Sequence, residues 1–337
     1  MLVMDNGNFL GGISGGCLEG DALLRAQKAI GSKLPSIVTY DTMQEDGHQI
    51  GVGLGCNGII DVLFVPLDPA DDHNPVLLLS TVIDCREPSL VITVGSCPPS
   101  IGLLGKSWLF SGEDQFRAVF PVPELFPTIF REVSKAKAAQ KSQFAMLHIK
   151  DQPISLFIEL IRPSIQLVIF GGNYDVLPMV RLARELGWKT TVLTNPAKAS
   201  KVLFSASDQI LHPSGSLKPA LDQYSAVILM SHDYNADYIN LKFALSSAAT
   251  YIGLLGPNTR GTKMLSALRD EGYPLTKTDL VKIFSPAGLD IGADTPEEIA
   301  LSILAELQCH FGGRGGQPLR LKQGSIHQRH STADRVS

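Results

Sequence analysis

Residues 165–187, IQLVIFGGNYDVLPMVRLARELG, decide the fold class. From Ile165 to Phe170 the run is apolar apart from Gln166 and shows no polar alternation, the pattern of a strand covered on both faces of a parallel sheet. Two glycines end it, and Asp175 to Gly187 then read as an amphipathic helix closed by a glycine. The alternation continues downstream. WKTTVLT (188–194), DQILH (208–212), SAVILMS (225–231) and TYIGLLG (250–256) are further short buried strands, most of them separated by helix-like segments. Repeating βα units of this length predict a Rossmann-like, doubly wound parallel-sheet domain over residues 164–311. Its last helix has clear start chemistry in DTPEEIALSILAEL (294–307). Thr295 is the expected N-cap, Pro296 fits the first helical position, and Glu298 completes a capping box. Ile299, Ile303 and Leu307 then form an apolar stripe.

Residues 1–163 have a different texture and predict a mixed α+β domain, with the boundary near Pro163. GIIDVLFVPL (58–67), SLVITVG (89–95) and ISLFIEL (154–160) read as strands. LEGDALLRAQKAIG (18–31) reads as a helix with Ala22, Leu23, Ala26 and Ile30 on one face and Gly31 as its stop. REVSKAKAAQKS (131–142) is polar and alanine-rich, which predicts an exposed helix or linker. Residues 312–337 are glycine-rich and basic with few apolar anchors, and predict a flexible tail.

Composition removes several function classes. The chain has 337 residues, 44% hydrophobic and 18% charged, with a net charge of −4, so it carries no electrostatic footprint for nucleic acid or a membrane surface. No apolar run approaches the roughly 18–20 residues of a membrane helix, and the N-terminus lacks a secretory signal pattern. Cys17, Cys56, Cys85, Cys97 and Cys309 are odd in number, scattered and never spaced C-x-x-C. That argues against a disulfide framework or structural zinc, and for reduced thiols in the cytoplasm.

Three stretches carry candidate chemistry. A strand, a glycine turn and a helix make the usual phosphate cradle of α/β sheets. Here the fingerprint G-x-G-x-x-G is replaced by Gly171-Gly172-Asn173-Tyr174-Asp175-Val176. Asn173 is able to take a positive φ, which would keep the turn, but its side chain stands where a pyrophosphate approaches. Val176 is bulky, Asp175 repels phosphate, and Thr194 or Asn195 replaces the acidic residue that grips a ribose. Two readings stay open, a dinucleotide site and a Rossmann-shaped scaffold without one, with the second slightly favoured. SHDY (231–234) follows a buried strand, so His232 and Asp233 suit acid–base work or ligand binding; the plainer alternative is an aspartate capping the next helix beside a loop histidine. Arg260 and Lys263 in YIGLLGPNTRGTK (251–263) lie beyond a strand at the same edge.

The third stretch is FLGGISGGCLEGDALLRA (9–26). Gly11, Gly12, Gly15, Gly16 and Gly20 surround Cys17 with bare backbone. A helix beginning there would favour the thiolate, with Glu19 in its first turn. A second glycine-flanked thiol, Cys56, occurs in GVGLGCNGIID (51–61). A reactive or metal-ligating pair and two inert thiols both remain open.

GGISGGCLEGD, LGCNGIIDVL, VIFGGNYDVLPMVRLARELGW, SHDYNAD, YIGLLGPNTR and GLDIGADTPEEIALSILAEL together resemble the XdhC/CoxI family, over nearly the whole chain from Phe9 to Leu307. The resemblance implies an N-terminal domain joined to a Rossmann-like one, and a maturation factor for molybdenum hydroxylases such as xanthine dehydrogenase. Such a factor binds molybdenum cofactor (molybdopterin), protects it during sulfuration and delivers it to the apo-enzyme, acting as a chaperone and not as an enzyme. The matched positions are Gly15, Gly16, Cys17 and Glu19, then Gly55, Cys56 and Gly58, then Gly171 and Asp175, and finally Ser231, His232, Asp233 and Tyr234. The cofactor-binding set expected on these grounds is Gly15, Gly16, Cys17, Glu19, Cys56, Gly171, Gly172, Asn173, His232 and Asp233, with Cys17 as metal ligand. Expected partners are a cysteine desulfurase, further copies of the chain and the molybdenum hydroxylase apo-subunit. The family's GAGH turn is GGNY here and its aspartate after the second strand is absent, which weakens any inherited nucleotide site. An NAD(P)-dependent oxidoreductase on the α/β domain is the alternative enzyme reading, and a purely structural partner is a third. Family members also carry a strand upstream of MLVMDNGNF, so the N-terminal domain is expected to be less stable.

Overall fold

The computed structural model describes residues 1–14, 18–41, 59–215 and 218–323. The chain divides into two units, Met1–Pro163 and Ser164–Ser337. Among the described residues the first unit contains β1 (Leu2–Val3), β2 (Phe9–Leu10), α1 (Glu19–Ser32), β3 (Ser36–Asp41), β4 (Ile59–Phe64) and α2 (Pro75–Val82). It continues with β5 (Ser89–Ser96), β6 (Ser107–Leu109), α3 (Glu113–Val119), α4 (Phe126–Ala139), β7 (Gln143–Ile149) and β8 (Gln152–Ile161).

β1 pairs with β2 and β3 with β4, while β6-β5-β8-β7 form an antiparallel sheet. That sheet follows period-2 logic. Ile154, Leu156 and Ile158 of β8 point to one face, and α3 and α4 cover it with Phe116, Phe126, Ile129, Phe130, Val133 and Ala136. The segment 131–142 is helical through Ala139 and largely exposed, as expected, except that Val133 and Ala136 are buried against the sheet. It is the second half of α4, whose aromatic first half lies upstream of the polar stretch. α1 packs Ala22 and Ala29 against Phe64, with Ala26 beside them. It runs through Gly31, which is helical, and ends on Lys33 in the left-handed region (φ 55°).

In the second unit, β9 (Gln166–Phe170), α5 (Val176–Glu185), β10 (Lys189–Leu193), α6 (Lys201–Ala206), β11 (Gln209–Leu211) and β12 (Ser225–Leu229) come first. They are followed by α7 (Tyr234–Leu245), β13 (Tyr251–Leu254), α8 (Asn258–Asp270), α9 (Lys277–Lys282), β14 (Ile283–Phe284) and α10 (Pro296–Gly312). The sheet order is β11-β10-β9-β12-β13-β14, all parallel. In chain order this is 3-2-1-4-5-6, the doubly wound Rossmann arrangement. Leu167 and Ile169 face α5 and α10, while Val168 and Phe170 face α7 and α8. Both faces are apolar because both are covered. At α10 the Thr295 hydroxyl accepts from the Glu298 amide, and the Glu298 carboxylate accepts from the Thr295 amide. No helix among the described residues is long and apolar enough to cross a membrane. A 3-10 turn occupies Leu319–Leu321, and residues 324–337 lie outside the described ones.

The burial of α4 is directly testable. Ile129 is fully buried, so Ile129→Ala should cost about 2–5 kcal/mol in urea unfolding. A loss below about 0.5 kcal/mol, the surface range, would mean that the helix is not packed.

Candidate functional site

Strand order reverses at β9, with β10 on one side and β12 on the other, so the ligand crevice of this fold lies between the loops that follow β9 and β12. Two glycines begin the first loop. A Cβ on Gly171 would stand 2.6 Å from the Met230 carbonyl oxygen, and one on Gly172 would stand 2.1 Å from Thr194 Oγ1. Both positions are bare because neighbouring strands fill the space. The positive φ falls on Gly171 and not on Asn173. Asn173 is exposed, and its carbonyl accepts from the Val176 amide at 3.2 Å to close the turn.

Asp175 then stands at the start of α5 without capping it. Its Oδ2 accepts a hydrogen bond from His232 Nε2 at 2.6 Å. A carboxylate can only accept, so Nε2 carries the proton. Asp175 Oδ1 is buried and has no hydrogen-bond partner among the described residues. His232 sits in the left-handed region (φ 59°) with its imidazole half-exposed.

The rest of SHDY holds this histidine in place. The Ser231 hydroxyl donates to Asp237 Oδ1 at 2.6 Å, and Arg260 Nη2 donates to Asp237 Oδ2 at 2.7 Å. Asp237 is 2% exposed, while the Arg260 side chain that meets it is partly open to solvent. Asp233 Oδ1 accepts from the Ala236 amide and caps α7. Its carboxylate is thus in structural use, the plainer of the two alternatives, while His232 reaches another loop. Sequence reasoning does not find Asp237; the available signal is an acidic residue one helical turn beyond the cap in SHDYNAD. Lys263 Nζ lies 5.1 Å from the Tyr234 ring centroid.

In the first unit the decisive group is Glu19. Its Oε1 accepts from the amides of Ile13 (3.0 Å) and Ser14 (2.7 Å), and its Oε2 from Ser14 Oγ and the Leu18 amide, both at 3.2 Å. The Ser14 amide above all, with the Ile13 amide, holds this carboxyl down at about 2 against the penalty of desolvation. Glu19 staples the chain on both sides of residues 15–17. Gly15, Gly16 and Cys17 lie outside the described residues, as do Gly55, Cys56 and Gly58.

The anchor points of the two cysteine segments are nonetheless described. Asp41 pairs with Ile59, the last described register of the antiparallel β3–β4 pair. There the Tyr40 hydroxyl donates to Asp21 Oδ2 at 2.6 Å, and Arg25 Nε donates to the same oxygen at 2.5 Å. Burial, then Asp21, pushes the Tyr40 hydroxyl up to about 12. The Tyr40–Asp21 bond joins α1, which follows the first cysteine segment in the chain, to β3, which precedes the second. Among the described residues Cys85, Cys97 and Cys309 are free thiols, and no group of three or more His, Cys, Asp or Glu is arranged to hold a metal ion.

Comparison with known proteins agrees with this architecture. Residues 167–307 match the XdhC Rossmann domain, and residues 1–41 match the XdhC and CoxI family. The chain is 31% identical over 314 residues to a probable xanthine dehydrogenase subunit from Bacillus subtilis (strain 168), across 91% of this chain and 86% of that protein. It belongs to the XdhC and CoxI family. The molybdenum cofactor insertion chaperone PaoD of Escherichia coli (strain K12) is 23% identical over 307 residues, covering 91% of this chain and 76% of that protein. The crystal structure of a xanthine dehydrogenase from Bacillus halodurans superposes with a TM-score of 0.68 and 27% identity, over 94% of this chain and 88% of that one.

In this XdhC chain the Rossmann edge is poorly built for a pyrophosphate. The space above the glycines is taken by Thr194 and Met230, and a carboxylate stands at the helix start where a phosphate would sit. Gly172→Ala should destabilise the second unit by about 1–3 kcal/mol through overpacking, and Thr194→Gly in the same chain should restore part of the loss; failure of the second change to rescue would contradict the close approach. For Glu19 the folded carboxyl lies below its ordinary 4.5, so its contribution is complete above that value and drains away as pH falls toward about 2. Amide protection factors at Ser14 and Leu18 should be high in the wild type down to that window. In Glu19→Gln they should be low already at neutral pH.

Proposed function

We propose that this chain is a maturation factor that takes up molybdenum cofactor, holds it while sulfur is added, and passes it to the apo-form of a xanthine dehydrogenase-type molybdenum hydroxylase. The cofactor is cargo, so the chain performs no turnover of its own. Family membership supports the role, and so does the similarity to an insertion chaperone across most of both chains. The observation that supports it in this molecule is the Asp21–Tyr40 bond, which ties together the described elements next to the two glycine-flanked cysteine segments, beside the Glu19 staple.

A thiolate is a soft ligand suited to a metal–dithiolene centre or to carrying a persulfide. Cys17 is the first candidate ligand and Cys56 the second, with Gly15 and Gly16 giving the guest access to backbone amides. Glu19 serves this site as a positioning residue, since both its oxygens are engaged by the chain. Of the second-unit residues in the expected set, Gly171 and Gly172 serve close packing, Asp233 serves as a cap, and Asn173 and His232 remain open to a ligand. A cysteine desulfurase as sulfur donor, self-association of the chain and a cytoplasmic setting belong to the same reading.

Client hydroxylase activity in cells with matched expression tests it. Cys17→Ser should abolish most of that activity, while Cys85→Ser, at an exposed thiol outside both glycine segments, leaves it intact. Full client activity with Cys17→Ser would remove the thiol from the process.

A further inference from the structure

The carboxyl edge of the second unit holds a carboxylate with one oxygen too many. Asp175 is fixed by His232 through Oδ2, yet Oδ1 is buried without a donor among the described residues. A buried acceptor left unpaired is costly, so the arrangement favours exchange for one in which both oxygens accept. Two further features lie beside it. Tyr174, the preceding residue, is 81% exposed and makes no ring contact among the described residues. His232, which closes the carboxylate, is half-exposed and sits on left-handed backbone. That region is uncommon for a non-glycine residue.

The ligand class follows from these groups. A carboxylate repels phosphate but pairs with two adjacent N–H donors, one to each oxygen, as it does with a guanidinium fork. The exposed aromatic ring of the preceding residue offers a face for stacking a planar heterocycle. We propose that Asp175 and Tyr174 recognise the 2-amino-4-oxopyrimidine edge of a heterocycle, with His232 as the latch that the ligand displaces. Once His232 is displaced the Asp175 side chain turns to present both oxygens, the amino group and the neighbouring ring N–H take them, and the ring lies on Tyr174. That edge occurs in a pterin and in a guanine base. The inference rests on the cofactor-handling reading and adds to it the part of the chain that reads the pterin.

The test is fluorescence titration of the full chain with free neopterin, beside guanosine and cytidine monophosphate. Wild-type chain should bind neopterin and not cytidine monophosphate; binding of guanosine alone assigns the edge to a nucleobase and overturns the pterin assignment. Asp175→Asn should weaken neopterin by about tenfold, the scale of one charge-assisted hydrogen bond. His232→Ala should tighten it, because the latch no longer competes. Tyr174→Ala, at an exposed position that leaves the fold alone, should weaken it. Opposite signs for Asp175→Asn and His232→Ala distinguish recognition from a structural bridge, which would make both variants weaker together. Equal weakening, no change in any variant, or no neopterin binding by the wild type overturns the proposal. Client maturation by the same variants is a separate readout. A chain that matures its client while its pterin affinity ignores Asp175 overturns this inference alone.

Discussion

Two residues without side chains at the end of β9 govern what the second unit can do. Because Gly171 and Gly172 carry no Cβ, the Met230 carbonyl and the Thr194 hydroxyl close over them, and the sheet stays tight to its last hydrogen bonds. The turn therefore departs from a G-x-G-x-x-G loop in what surrounds its glycines. It instead aims Asp175 across the switch point, where His232 meets it. A doubly wound fold is kept, with a histidine–carboxylate bridge across its switch point.

The first unit solves a different problem. A glycine-rich loop loses much entropy on ordering, and the Glu19 carboxylate offsets that cost by gathering donors from Ile13, Ser14 and Leu18. The Asp21–Tyr40 bond then ties the start of α1 to the end of β3.

Legibility in the sequence depends on range. The capping box at Thr295 and Glu298, the strand at Ile165–Phe170 and the cap at Asp233 are local events, set by residues within a few positions, and each is readable. The bridge from Asp175 to His232 joins residues 57 apart, so only the sheet order brings them together and no pattern announces it. Glu19 reads as a first-turn residue, but its reach back to residues 13 and 14 needs the loop's path. Gly31 reads as a stop because glycine is a poor helix former; packing of Ala22 and Ala29 carries the helix past it. The polar stretch 131–142 understates the burial of α4 because the aromatic face begins earlier, at Phe126 and Phe130. Asn173 is the natural choice for a positive φ beside glycines, yet the turn assigns that conformation to Gly171.

Cargo handling, as opposed to redox turnover, is most directly tested by what the purified chain holds. The full chain, co-expressed with the cofactor pathway and purified without oxygen, should carry molybdopterin, measured as its fluorescent oxidised pterin, and should give no calorimetric binding signal with NADH or NADPH. A chain free of molybdopterin that binds either nicotinamide nucleotide at micromolar concentration would contradict the assignment.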